Sequence, residues 1–151
     1  MQLLILVVIL ILVLLITLFL VGRWLGNRMK AAAQEVEENY SGEGILRMKG
    51  ANLLGRKSLG MSQIRGNGVL ALTNSRLVFR MLLPRRIFEI HIDSIENMEH
   101  PMTFLGKTKG MRLLVVNYTN EEGEPDAMGW AAKDPDGWAE DIRSAMQSRQ
   151  S

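Results

Sequence analysis

The sequence predicts an α+β protein, in which one N-terminal transmembrane α-helix precedes an antiparallel β-barrel or sandwich of about seven strands capped by a C-terminal helix. Three observations support this fold class: an uninterrupted aliphatic segment opens the chain, short apolar runs separated by turn signals fill its middle, and helical spacing returns at its end. The predicted regions are an anchor with a basic flank (1–30), an acidic stalk (31–43) and a globular domain (44–151).

The aliphatic segment predicts the membrane anchor. From Leu3 to Val21, 18 of 19 residues are Leu, Ile, Val or Phe, and Thr17 is the exception. About 20 such residues cross the hydrocarbon core as a helix, with an insertion free energy of roughly 3–5 kcal/mol in favour of the membrane. The alternative is a cleaved signal peptide, but its apolar core is shorter and follows basic residues. The small residues of 31–33 lie too far from the core, so we expect a retained anchor.

Flanking charge predicts the orientation of the anchor. Arg23, Arg28 and Lys30 follow the span, and no basic side chain precedes it. The positive-inside rule then leaves the N-terminus outside and the domain in the cytoplasm, at a plasma or inner membrane. Trp24 suits an interfacial anchor, so these four residues are expected at the membrane interface.

The segment 31–43 contains four acids and no base. Its good helix formers predict that it prolongs the membrane helix as a short stalk, which Ser41 and Gly42 end. Gly22 and Gly26 form a small-xxx-small pair at the helix end, which suits either helix dimerisation or a flexible exit from the bilayer. We expect the flexible exit.

Strand signals follow the stalk. Asn74-Ser75 between two apolar runs predicts a hairpin, and RIFEIHID alternates as a half-buried antiparallel strand does. The predicted strands are 44–49, 52–59, 69–73, 76–82, 86–93, 111–119 and 126–132, and 94–99 is expected to continue the sheet after a bend.

A final helix is predicted by a change of period. Asp134 has the place of an N-cap, and Pro135 suits the first helical position. An apolar stripe follows at helical spacing and consists of Trp138, Ile142, Ala145 and Met146. We expect Trp138 to plug the barrel.

The hairpin carries a family resemblance. Its residues follow the pattern glycine-x-leucine-x-leucine-threonine-x-x-arginine-leucine-x-phenylalanine, with Gly68, Leu70, Leu72, Thr73, Arg76, Leu77 and Phe79. This pattern resembles the hairpin of GRAM-type and bacterial PH-like domains, and the strand order with a closing helix resembles the pleckstrin homology superfold over residues 44–148. The resemblance implies a module that binds phospholipid headgroups or protein segments and is not an enzyme.

Charge is distributed unevenly along the domain. Residues 44–88 contain nine basic residues and no acid, whereas 89–99 contain four acids and no Lys or Arg. One interpretation is a basic face that engages anionic headgroups, with about 1 kcal/mol per cation near the surface. The other is a set of scattered charges paired with acids of neighbouring strands. The candidate lipid- or partner-binding residues are Arg47, Lys49, Arg56, Lys57, Arg76, Arg80, Arg85, Arg86, Lys107 and Lys109.

The loop 98–112 adds an apolar candidate. Phe104 and Leu105 stand beside Lys107, which suits insertion among headgroups or docking on a partner. Alternatively, both side chains close the open end of the barrel.

No catalytic residue, metal site or cofactor is predicted. The chain has no Cys, and Glu96, Glu99 and His100 do not have the spacing of a metal site. The aromatic residues are interpreted as core, which argues against nucleic acid as a partner. The expected partner is the lipid bilayer. A different hypothesis makes the chain an accessory subunit of a larger membrane protein complex, docked through its helix and its domain.

Overall fold

The computed structural model describes residues 1–60 and 64–150. Two α-helices flank seven strands. The helices are α1 (Gln2–Tyr40) and α2 (Pro135–Gln150). The strands are β1 (Ile45–Arg56), β2 (Gly66–Thr73), β3 (Arg76–Met81), β4 (Arg86–His91), β5 (Ile95–Glu99), β6 (Leu114–Thr119) and β7 (Pro125–Ala132).

The strands form one antiparallel sheet in the order β4-β3-β2-β1-β7-β6-β5, so the predicted α+β class is confirmed. The prediction of two separate strands at 44–49 and 52–59 is wrong, because Gly50 stays in the ladder opposite Val69. One 12-residue strand results. Its first part pairs with β2 and its last part with β7, across a register shift between Leu53 and Gly55. This irregularity lets β1 join the two halves of the sheet.

The two halves of the sheet and α2 enclose the main core. Trp138 is fully buried in it, as predicted, beside Ile142 of the same helix. Phe79 and Trp130 pack with ring centroids 6.2 Å apart. Burial of each such side chain stabilises the fold by roughly 1.5–3 kcal/mol. Asp134 caps α2, because its Oδ1 accepts the Gly137 amide at 3.1 Å.

The helix α1 is continuous through Gly22 and Gly26, so the predicted flexible exit is wrong. An isolated glycine costs a helix about 1 kcal/mol, and the Leu, Ala, Gln and Glu residues of this 39-residue helix offset that cost. The helix is about 58 Å long, nearly twice the thickness of a hydrocarbon core.

The last part of α1 packs on the outer face of β1, β2 and β3. Ala32, Val36 and Tyr40 are spaced by one helical turn, and all three are buried. Ala32 packs with Val69 and Leu82, whereas Val36 and Tyr40 pack with a second pair of sheet residues, Ala71 and Val78. Most of the acidic segment 31–43 is therefore a helix docked on the sheet.

Candidate membrane-facing site

A carboxylate clamp fixes α1 to the sheet. Glu35 Oε2 accepts hydrogen bonds from Arg80 Nε at 2.9 Å and Nη2 at 2.8 Å, and its Oε1 accepts one from Arg85 Nη2 at 2.8 Å. These two guanidinium groups hold the pKa of Glu35 below its usual range. Arg76 and Arg80 share a strand face, as their spacing predicts, but α1 covers that face, and Arg80 is only 8% exposed.

Other arginines of the predicted basic face also have carboxylate partners. Arg47 reaches Asp134 and Asp141 and lies over the Trp138 ring, 4.7 Å from its centroid. Arg56 Nε lies 2.5 Å from a buried carboxylate oxygen of Asp126. The ion pairs join distant segments of the domain and neutralise much of the positive charge of residues 44–88.

Arg76 also forms ion pairs, near the point where α1 ends. Its guanidinium group lies 2.9 Å from Glu43 and 3.4 Å from Glu89, and 5.9 Å from the centroid of the Tyr40 ring. The partners of Arg76 thus come from the helix–sheet junction and from β4. Five of the ten candidate cations are ion-paired in this way: Arg47, Arg56, Arg76, Arg80 and Arg85.

Phe104 packs on the outer face of the second half of the sheet. It joins a cluster with Leu113 and Val115, and a Cβ on Gly129 would lie 2.5 Å from its ring. The backbone of Phe104 bridges to Lys107, which makes a tight turn with Leu105 at φ 52°. This packing explains the apolar side chain of Phe104 without a lipid or a partner. Phe104 covers the outer face of the sheet and not the open end of the barrel.

The remaining five candidate cations take part in no ion pair between residues that the structure describes. Lys49, Lys57, Arg86 and Lys109 are exposed, and Lys107 is half-buried. Lys107 and Lys109 line a groove of about 480 Å³ together with Arg65 and Asn52. Burial and the nearby Arg65 lower the pKa of Lys107, and its Nζ donates to the Leu54 carbonyl at 3.3 Å.

This groove has no acidic lining residue among those described. We call Arg65, Lys107 and Lys109 the basic rim. Arg65 was not among the sequence-based candidates, although it belongs to the acid-free run. Arg65 belongs to the rim because the loop between β5 and β6 lies next to it in the fold. No local sequence pattern predicts this contact.

The rim lies near the part of α1 that leaves the apolar segment. Asn52 also lines a second groove, together with Leu25 and Met29 of α1. Leu25 comes four residues after Val21, which corresponds to about 6 Å along a helix. The headgroup layer of a bilayer is roughly 5–8 Å thick on each side, so this surface of the domain reaches its level if the apolar segment spans a membrane.

The predicted interface residues lie on the exposed surface of α1. Arg23, Trp24, Arg28 and Lys30 are all exposed, and the Arg28 guanidinium carbon lies 5.1 Å from the Trp24 ring centroid. Within the described residues, α1 is the one helix long and apolar enough to cross a membrane, with mean hydropathy 3.7 over its most apolar window. An N-terminal signal sequence has the same features.

Among the residues that the structure describes, no three His, Asp or Glu side chains lie together so that they could hold a metal ion. His100 Nδ1 lies 3.2 Å from the Leu113 carbonyl and 13 positions from it in sequence. This contact ties the loop after β5 to the residues before β6.

No protein-family model and no curated protein sequence matches the chain. Solved structures do match it. The C-terminal domain of an unknown protein from Leishmania infantum superposes with a TM-score of 0.54 at 14% identity, covering 78% of this chain and 97% of the other. The Vps36 N-terminal PH domain superposes with a TM-score of 0.52 at 16% identity, covering 73% and 83%.

A third match is the complex of human RhoA with the DH/PH fragment of PDZRHOGEF, with a TM-score of 0.53 at 12% identity. It covers 76% of this chain and 32% of the matched one. The domain therefore has a pleckstrin homology-like (PH-like) fold, behind one long apolar helix. Identities this low define the fold alone, and the narrower resemblance to GRAM-type domains stays a prediction.

Proposed function

We propose that the chain is a single-pass membrane protein whose PH-like domain binds anionic lipid headgroups at the cytoplasmic membrane surface and catalyses no reaction. One observation carries the proposal: the helix that contains the apolar segment is also the helix that docks on the sheet. A span in the bilayer then holds the domain at a defined height, with the basic rim near the headgroups.

The docked helix also favours a retained anchor over a cleaved signal. A cut near residues 31–33 would fall inside α1 and remove Met29, which packs against the sheet with Ala32 and Val69. The basic residues after the span favour a cytoplasmic domain by the positive-inside rule.

The basic rim supports lipid as the partner. Its three cations have no acidic neighbour along the groove, so their charge is available to a phosphate. Each cation near an anionic surface contributes about 1 kcal/mol of attraction. Charge reversal of one rim residue should therefore remove this attraction and add a similar repulsion, or about 2 kcal/mol and roughly 30-fold in affinity.

Vesicle binding tests the proposal. A fragment of residues 28–151 keeps the docked part of α1 and lacks the apolar segment. We expect it to co-sediment with anionic vesicles but not with neutral ones, and to dissociate as salt rises. Lys109→Glu should weaken binding about 30-fold. Arg143→Glu is the matched control, because Arg143 is exposed on α2 outside the rim and its reversal changes the net charge equally.

The alternative function, an accessory subunit of a membrane complex, predicts a different result. A fragment that binds no anionic vesicle at low salt would contradict lipid recognition and turn attention to a protein partner. The span itself offers such a partner little polar contact, because Thr17 donates its hydroxyl to the Val13 carbonyl at 2.8 Å.

A further inference from the structure

The second groove lies between α1 and the domain, where neither element alone would make a site. Its volume is about 410 Å³, within the usual range for small-molecule sites. Leu25 and Met29 of α1 line it together with Met111 and Ala131 of the domain. With Ala51, five apolar side chains therefore line a space between the helix and the sheet.

The polar side chains that line this groove are one cation, Lys133, and two amides, Asn52 and Asn67. Lys133 is exposed and takes part in none of the ion pairs between described residues. The adjacent Asp134 does not neutralise it, because the carboxylate of Asp134 is held by Arg47 at 2.9 Å. Asn52 donates to Asn67 Oδ1 at 2.8 Å, and both amides line the groove. No acid is among its lining residues in the described part of the chain.

The Leu25 end of the groove lies at the height of lipid headgroups, and Met29 lies beyond it. Leu25 and Met29 lie about 6 and 12 Å along the helix from Val21, at the end of the apolar segment. The headgroup layer occupies roughly the first 5–8 Å beyond the hydrocarbon core. A molecule in the groove can therefore keep its acyl chains in the bilayer while its phosphate and glycerol lie between helix and domain.

We propose that this groove binds one anionic glycerophospholipid of the surrounding leaflet, with the phosphate on Lys133 and the glycerol ester region against Leu25. The proposal rests on the membrane anchoring proposed above. It adds a stoichiometric lipid site to the diffuse attraction of the basic rim. The rim adjoins the groove through Asn52, and its charge favours a lipid with a net negative headgroup.

The test uses the full chain, purified in mild detergent with added phosphatidylglycerol or phosphatidylcholine and examined by native mass spectrometry. We expect one phosphatidylglycerol to stay bound to the wild type after the other lipids dissociate. Lys133→Glu should lower that occupancy about tenfold or more, since it replaces an attraction with a repulsion. Arg143→Gln, an exposed change outside the groove, should leave it unaltered.

A second variant blocks the space itself. Asn67 is exposed at the groove, so Asn67→Trp should displace the lipid without changing the charge or the core. Equal lipid retention in the wild type, Lys133→Glu and Asn67→Trp would overturn the proposal, as would equal retention of phosphatidylcholine. The proposed function fails separately, because Lys109→Glu in the 28–151 fragment changes the rim and Lys133→Glu in the full chain changes the groove.

Discussion

The clamp at Glu35 makes a quantitative prediction about how the helix is held. Glu35→Gln removes the charge that joins α1 to β3, where Arg80 is 8% exposed. The other hydrogen bond that the structure gives the Arg80 side chain goes to the Met81 carbonyl. The substitution therefore leaves a nearly buried guanidinium group without an anion.

The expected cost follows from these contacts. Hydrogen bonds to charged groups contribute about 1.5–3 kcal/mol each, and breaking a buried ion pair costs about 3–5 kcal/mol. Glutamine keeps one acceptor, and the Glu35 side chain is 21% exposed, so water offsets part of the loss. The bond to Arg85, whose side chain is 72% exposed, adds little. We expect a loss of about 2 kcal/mol, or roughly 8 °C in Tm for a fragment of about 120 residues.

The negative charge of Glu35 makes the stability difference between wild type and Glu35→Gln depend on pH. Hydrogen bonds from Arg80 and Arg85 lower the pKa of Glu35 from its ordinary 4.5. A lowered pKa in the folded state means that ionised Glu35 stabilises the fold above about pH 4.5, and that this stabilisation is lost as the pH falls through the lowered value. The difference in free energy of unfolding between wild type and Glu35→Gln should therefore be largest at neutral pH and should disappear in acid.

Urea unfolding of the 28–151 fragment, followed by tryptophan fluorescence, measures this difference. Glu37→Gln is the matched control, because Glu37 is exposed on the same helix and takes part in none of the ion pairs between described residues. If the two variants agree within about 0.5 kcal/mol at pH 7, the clamp does not hold the helix and the reasoning is refuted.

Three further predictions concern the sheet and the height of the domain. Gly129→Ala should cost about 1–3 kcal/mol in urea unfolding, because its Cβ would lie 2.5 Å from the Phe104 ring. A similar cost in a Phe104→Ala background would contradict this cause. Asp126→Asn should cost about 3–5 kcal/mol, since its buried carboxylate binds Arg56, and a wild-type unfolding midpoint would argue against that. Seven alanines inserted after Gly26 should raise the domain about 10 Å, beyond the Debye length of about 8 Å. A fluorophore on Thr108→Cys in the full chain should then lose quenching by headgroup-labelled lipid, and unchanged quenching would exclude a fixed height.

Much of the fold could be predicted because its signals are local. Alternation in 86–93 and helical spacing after Asp134 each depend on a few neighbouring residues, and both elements form. The hairpin glycine has a physical reason that the pattern does not state: a Cβ on Gly68 would lie 2.3 Å from the Arg80 carbonyl oxygen. Gly50 misled the strand assignment because its pairing with Val69 is a long-range contact.

The docking of α1 left one signal in the sequence. From Val69 to Leu72 the residues of β2 are apolar without alternation, and Leu77 to Phe79 repeat this in β3. Such runs indicate strands buried on both faces, and the second face is the one that α1 covers. The identity of the covering helix could not be predicted, because the signal specifies burial and no partner.

The candidate site was harder to predict, since charge along a sequence is not charge on a surface. Arg47 meets Asp141 and Arg56 meets Asp126 across 94 and 70 positions, so folding pairs charges that appear separate in the chain. Lys133 and Arg65 acquire their setting in the same way, from a helix and a loop that reach them from elsewhere.

The clamp ties the domain that carries the basic rim to the helix that carries the apolar segment. A domain on a flexible tether gains affinity from effective concentration in whatever orientation it adopts. Here Glu35 joins two arginines to the helix that carries the apolar segment, so the domain presents one surface. If the rim binds lipid as proposed, substitution of Glu35 should weaken that binding in the full chain without any change in the rim, because α1 would hold the domain less firmly.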